Sequence, residues 1–168
     1  EDLLKYQGLD VAAAQQLMSD AGFRGGAGFP TLEMALRSED QVFQDIAAAV
    51  AGQLKANIGV DVTINNMTRK DYMAQLNGHN LQFAMVSYGF DYVDASNFLS
   101  VFKTQGRHNW DNAEFEALRI KAAGNADPKE RAGEMRKLQE ILSEDVGSLF
   151  LWNQVQNQLH KIGRAHVG

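Results

Sequence analysis

Between Asp10 and Val86 the apolar residues switch three times from a helical to a strand-like period, which leaves few folds open to the chain. Val11, Ala14, Leu17, Met18 and Ala21 share one helical face after Asp10, a good N-cap, and Gly22 ends that helix. Leu32, Met34 and Leu36 then alternate in a short strand over 31–36. Ser38 and Gln41 form a capping box for a longer helix with Val42, Phe43, Ile46, Ala49, Val50 and Leu54 on its apolar face. Val60, Val62 and Ile64 alternate with Asp61, Thr63 and Asn65, the pattern of a strand covered on one face. Thr68 opens a short helix with Tyr72, Met73 and Leu76 inward and Gly78 at its end. Phe83-Ala84-Met85-Val86 follows, apolar enough to be a strand covered on both faces. Three helix–strand repeats predict an α/β fold whose parallel strands are joined by right-handed helical crossovers.

Three further helical stretches come next. Residues 96–102 offer Phe98, Leu99 and Phe102 to a core, and residues 111–123 offer Phe115, Leu118 and Ala122. The third opens with Asp127-Pro128-Lys129-Glu130, a cap followed by Pro at the first helical position and Glu at the third. It continues through Met135, Leu138, Ile141 and Leu142 and stops at Gly147. Leu149-Phe150-Leu151-Trp152 reads as a last buried strand. At 168 residues, with 45% hydrophobic and 22% charged residues, the chain has the size and composition of one globular domain. A net charge of −5 with scattered Lys and Arg argues against a nucleic-acid footprint, and no apolar run reaches membrane-spanning length. The absence of cysteine excludes disulfides and thiol chemistry. Because the chain opens on Glu1-Asp2 and runs directly into helical signals, it is expected to be a piece of a longer protein.

The stretch from Leu81 to Phe102 carries the candidate chemistry. An apolar strand gives way to Ser87-Tyr88-Gly89-Phe90-Asp91-Tyr92-Val93-Asp94, a loop that is aromatic and acidic. A sheet that fixes such a loop makes a ligand site, whereas the plainer reading is an ordinary solvated loop. Asp91, flanked by Tyr88, Phe90 and Tyr92, suits a cationic or amino-bearing ligand through a charge-assisted hydrogen bond and ring contacts. Asp91 and Asp94 could serve as an acid–base pair, but Asp94 reads equally well as the N-cap of the next helix. His79, His108, His160 and His166 are isolated, with no metal-ligand spacing. The Gly-rich segment 22–28 follows a helix and precedes a strand, the reverse of a phosphate-binding loop, and reads as a turn.

Asp91-Tyr92-x-Asp94-x-x-x-Phe98-Leu99 resembles the Asp-Tyr-x-Asp-Pro-x-x-Phe-Leu signature of the dipeptide/oligopeptide-binding class (family 5) of ABC-importer solute-binding proteins. Other segments agree in order: Ala21-Gly22-Phe23 at a helix end, Asn57-Ile58-Gly59-Val60-Asp61-Val62 at a helix-to-strand junction, Asn112-Ala113-Glu114-Phe115 at a helix start, and Asp127-Pro128 with Arg131 at the next. The pattern departs from the family at Tyr88, where Trp is usual and which follows Ser87 instead of Gly. It departs also at Ala95, where Pro is usual, and at Met85, where some oligopeptide binders carry Arg.

The resemblance implies one lobe of a type II periplasmic-binding-protein-like fold, a mixed, largely parallel sheet flanked by helices. Residues 1–168 would form most of the C-terminal lobe, with a missing N-terminal lobe as intramolecular partner. It implies a non-catalytic protein without cofactor or metal that binds a peptide or another amine-bearing solute and works with ABC transporter permease subunits. Its place would be the periplasm, or the cell surface as a lipoprotein. Tyr88, Gly89, Phe90 and Asp91 are the implied ligand-binding residues, with Asp91 on the ligand's amine. Two other classes remain: a small α/β hydrolase or transferase using Asp91 and Asp94, and a lobe serving as a protein-interaction module.

Overall fold

The structure, a computed structural model, describes residues 8–37, 41–151 and 153. Its first half alternates as the sequence pattern predicts: α1 (Val11–Asp20), β1 (Leu32–Arg37), α2 (Gln41–Ile58), β2 (Val62–Met67), α3 (Arg69–Asn77) and β3 (Phe83–Ala84). The second half is helical, with α4 (Ala95–Leu99) running into a 3-10 turn at Ser100–Phe102, then α5 (Ala113–Gly124) and α6 (Pro128–Glu144). Side chains fix where these helices begin. Asp10, Thr68, Asn112 and Asp127 each accept a backbone N–H in the first turn of the helix that follows, satisfying donors that have no intrahelical partner. The expected capping role of Ser38 lies outside the described residues.

The three strands are parallel in the order β2-β1-β3. Leu32 stands opposite Val62, and Met34 and Ala35 stand opposite Phe83 and Ala84. The chain moves one way from β1 to β2 and the other way from β2 to β3. Crossovers of one hand therefore place α2 and α3 on opposite faces of the sheet. On one face Met34, Leu36 and Met85 pack with Phe43 and Ala47 of α2; on the other Ala35 packs with Tyr72 and Leu76 of α3. β1 is thus the strand covered on both sides, with Met34, Ala35 and Leu36 buried in succession.

A separate helical core joins Leu99 and Phe102 to Phe115 and Ala122 of α5 and to Met135, Leu138, Ile141 and Leu142 of α6. Asp145 ties its end together, its Oδ2 accepting from Trp110 Nε1 at 2.8 Å and Asn112 Nδ2 at 3.1 Å. The Gly-rich segment is a turn, as expected, and its purpose is packing. Gly26 and Gly59, at φ 79° and 77°, bring two backbones so close that a Cβ on either would collide with main-chain atoms of the other segment.

The folded chain corrects several expectations. β3 comprises two paired residues rather than four, and Val86 is 41% exposed, because among the described residues β3 pairs only with β1. α1 buries none of its residues, and Leu17 is exposed, as α1 among the described residues rests mainly against α2 and the Gly-rich turn. Val42 is also exposed on α2, where Ala47 is buried instead. Leu149, Phe150 and Leu151 are exposed and unpaired rather than a buried strand, while Trp152 lies outside the described residues. The fold class itself stands as expected, a sheet flanked by helices whose strand pairs among the described residues are parallel.

Candidate functional site

In a sheet ordered β2-β1-β3 the parallel strands all present their carboxyl ends at one place. Ligands of open α/β sheets gather at such a point, outside the carboxyl ends of the strands. The segment leaving β3 there is Met85–Asp94. Its start is fixed: Met85 is buried, its N–H donates to Ala35 O at 3.0 Å, and its carbonyl accepts the buried Tyr72 hydroxyl at 2.8 Å. Burial pushes the Tyr72 phenol above its ordinary pKa, so it stays a donor.

Beyond Met85 the chain turns outward. Tyr88, Gly89, Phe90 and Asp91 are all exposed, and a Cβ at Gly89 would meet open space. The Tyr88 hydroxyl donates to Asp91 Oδ2 at 3.2 Å. Partial desolvation, reinforced by that carboxylate, pushes the phenol upward. An ionised carboxylate has about four acceptor positions, so Asp91 keeps capacity for a further donor. The rings of Tyr88 and Phe90 both meet Phe98 edge to face, with centroids 5.9 and 6.2 Å apart. Such pairs contribute about 0.5–1.5 kcal/mol each beyond their burial. Phe98 was expected in the core, yet it is 45% exposed, because α4 turns Leu99 inward and leaves Phe98 to the loop. Behind it runs a mainly apolar cleft of about 350 Å³ lined by Phe98, Phe102, Leu142 and Phe150. A hollow of about 220 Å³ beside α3 lies away from this loop, and its Glu33 and Asn65 are already bonded to each other.

The second acid has a different task. Asp94 caps α4, its Oδ1 accepting the Ser96 N–H at 2.8 Å, and both its oxygens accept from the Arg131 guanidinium of α6, at 2.9 and 2.7 Å. Arg131, with help from Ser96, holds the Asp94 carboxyl far below the usual carboxylate range. Asp91 and Asp94 thus do not converge on one point, and Asp94 is committed to the loop's own structure. Of the two readings of Asp94, the N-cap is the one realised.

Sequence reasoning missed Asn97. It is buried, and its Oδ1 accepts the Asp91 backbone N–H at 3.2 Å. Its signal was a polar residue between Phe98 and the capping turn, at a helix position facing the core. Among the described histidines, His108 is structural: its ring lies against Phe102, centroids 4.2 Å apart, and its Nδ1 is 3.3 Å from Val101 O. Among the described residues no three His, Asp or Glu side chains gather as metal ligands, and no helix is long and apolar enough to cross a membrane.

A family profile for bacterial extracellular solute-binding proteins, family 5 Middle, matches residues 1–110. The dipeptide-binding protein DppE of Bacillus subtilis is 31% identical over 122 residues, covering 70% of this chain and 22% of that protein. The periplasmic murein peptide-binding protein MppA of Escherichia coli is 28% identical over 153 residues, covering 89% of this chain and 28% of that protein. Among solved structures, the periplasmic oligopeptide-binding protein OppAIV of Borrelia burgdorferi superposes with a TM-score of 0.76 at 27% identity, over 81% of this chain and 28% of that one. The chain therefore spans about a quarter of the length of these relatives. With the profile running through β1, β2, β3 and the Asp91 loop, the chain belongs to the bacterial extracellular solute-binding proteins, family 5.

Proposed function

We propose that residues 1–168 are most of the C-terminal lobe of a two-lobed solute-binding protein that delivers a peptide, or another amine-bearing solute, to an ABC importer. Asp91 pairs with the ligand's amine, Tyr88 and Phe90 form the wall around it, and Gly89 leaves room between them. The observation that carries this reading is the division of labour between the two acids. Asp91 is exposed with acceptor positions to spare, while Asp94 is engaged by Arg131 and Ser96. The same division speaks against acid–base catalysis by the pair, which would need both carboxylates on one substrate. The relatives named dipeptide-binding and murein peptide-binding support a peptide as the ligand class.

The rest of the site lies on the other lobe, closing over the ligand in the manner of hinged binding proteins. Exposed Leu149, Phe150 and Leu151 fit a surface that another part of the same polypeptide covers. The partners are the permease subunits, and the location is outside the cytoplasmic membrane, in the periplasm or on a surface lipoprotein. The test is calorimetry on the full-length protein with free-amine dipeptides. Removing one member of a buried charge pair costs about 2–5 kcal/mol, so Asp91→Asn should weaken binding by roughly thirtyfold or more. An unchanged affinity overturns the assignment.

A further inference from the structure

We infer that Asn97 is the positioning residue of the amine site, holding Asp91 through its backbone and taking up the Asp91 N–H. The inference rests on the reading of Asp91 as the amine's partner. Apart from Tyr72, Asn97 is the only buried polar side chain among the described residues, at 2% exposure. Burying an amide is unfavourable unless it is bonded, and an apolar residue would fill the same space in the α4 core. The bond Asn97 makes does not serve the core. Its Oδ1 reaches back six positions to accept the Asp91 N–H at 3.2 Å.

Two consequences follow for the site. An N–H left free beside a bound ammonium group would set donor against donor, and Asn97 occupies that donor. The Asp91 carboxylate, which also accepts the Tyr88 hydroxyl at 3.2 Å, is then presented without its own N–H competing beside it. The loop is also closed at two points. Asn97 holds it at Asp91, and Arg131 holds it at Asp94, so that residues 91–97 form a clasp between β3 and α6. The main chain of Asn97 completes it, donating to Asp94 O at 3.0 Å and accepting from Ser100 Oγ at 2.9 Å. An anchor carried on an exposed loop binds well only when such supports fix it beforehand.

The experiment uses the full-length protein with Asn97→Leu, Asn97→Asp, Asp91→Asn and the double variant Asn97→Leu/Asp91→Asn. Asn97→Asp keeps an acceptor, at the third helical position where an acid is favoured; Asn97→Ala replaces the leucine if that side chain does not fit. Affinity for alanyl-phenylalanine and for its N-acetyl derivative is measured by calorimetry, and hydrogen exchange is followed at the Asp91 amide. Asn97→Leu should weaken the free-amine dipeptide about tenfold, speed exchange at Asp91 and leave α5 and α6 protected. Asn97→Asp should restore both properties, and in the Asp91→Asn background Asn97→Leu should cost nothing more. The inference is overturned if exchange at Asp91 is unchanged, or if the two losses simply add. The amine reading fails separately, through an Asp91→Asn variant that binds as well as the parent. Should the dipeptide not bind at all, exchange at the Asp91 amide still decides for or against Asn97.

Discussion

Arg131 of α6 grips Asp94 through two nearly parallel bonds of 2.9 and 2.7 Å across 37 positions of sequence, joining the loop that leaves the sheet to the helical core. Planar guanidinium–carboxylate pairing fixes orientation as well as distance. The pair gives the chain an acid-sensitive joint. Arg131 holds the folded-state pKa of Asp94 below its unfolded value of 3.8, so the stability it contributes is present above that value. It is lost as pH falls from there toward the folded pKa. Denaturation midpoints followed from about pH 7 to about pH 2 should therefore drop at the acid end, and less steeply in Asp94→Asn. In Arg131→Ala the Asp94 carboxyl, followed by carbon NMR, should titrate higher, moving toward 3.8 but staying below it because the Ser96 bonds remain. An unmoved titration would mean that Arg131 does not hold it.

His108 makes a second pH dependence, of separate origin. Burial against Phe102 pushes its imidazole below 6.5, opposed by the Val101 carbonyl, and the nearby Arg107 charge pushes it further down. A depressed histidine stabilises the fold above its unfolded pKa, and that contribution fades as pH falls below 6.5. His108→Gln should flatten the stability profile between about pH 7 and about pH 5 while leaving the lower-pH Asp94 drop in place. Proton NMR of the imidazole provides the check, and a titration at or above 6.5 would contradict it.

Val146 is a β-branched residue at φ +50°, just past the end of α6, where the Gly147 N–H donates to Leu142 O at 3.0 Å. That geometry is a glycine's at the residue closing the helix. The left-handed conformation costs a branched side chain about 1–2 kcal/mol, of which glycine's greater chain entropy takes back part. Val146→Gly should thus stabilise the fold by about 1 kcal/mol in urea denaturation. Gly147→Ala should destabilise it, since the added Cβ would lie 2.9 Å from the Trp110 ring.

The alternation of helix and strand was legible because each element carries its own periodicity and cap, as Asp10, Thr68 and Asp127 show. Which strand lies innermost was not. The apolar run at Phe83–Val86 looked the more deeply buried, whereas β1 holds the centre of the three-stranded sheet, with Ala35 packed under Tyr72 and Leu76 of α3. Period alone cannot report neighbours that are distant in sequence. At the site, Asp91 and its aromatic flank could be read from composition. The partners that shape it, Asn97, Arg131 and Phe98, could not, since each acts through a contact that only the folded chain makes. Leu149–Leu151 misled for the opposite reason. Its apolar character is real, but it forms no strand among the described residues and stays exposed even where Phe150 meets Phe102 edge to face.

Tyr88 stands where Trp is usual in the family pattern, and its hydroxyl gives it a role an indole would fill differently. The phenol both leans on Phe98 and donates to Asp91 Oδ2, so in the proposed site it would orient the carboxylate as well as form part of the wall. The two roles separate by mutation in the full-length protein. Tyr88→Phe keeps the ring against Phe98 and removes only the donor, and a single hydrogen bond to a carboxylate at an exposed, solvated site supports a loss of roughly two- to tenfold in affinity for a free-amine dipeptide. Tyr88→Ala removes ring and donor together and should lose more, while leaving Phe90 its contact with Phe98 at 6.2 Å. The N-acetylated dipeptide, which has no cationic amine, should respond to the loss of the ring but not to the loss of the hydroxyl. Equal sensitivity of both dipeptides to Tyr88→Phe would show that the hydroxyl does not act through Asp91.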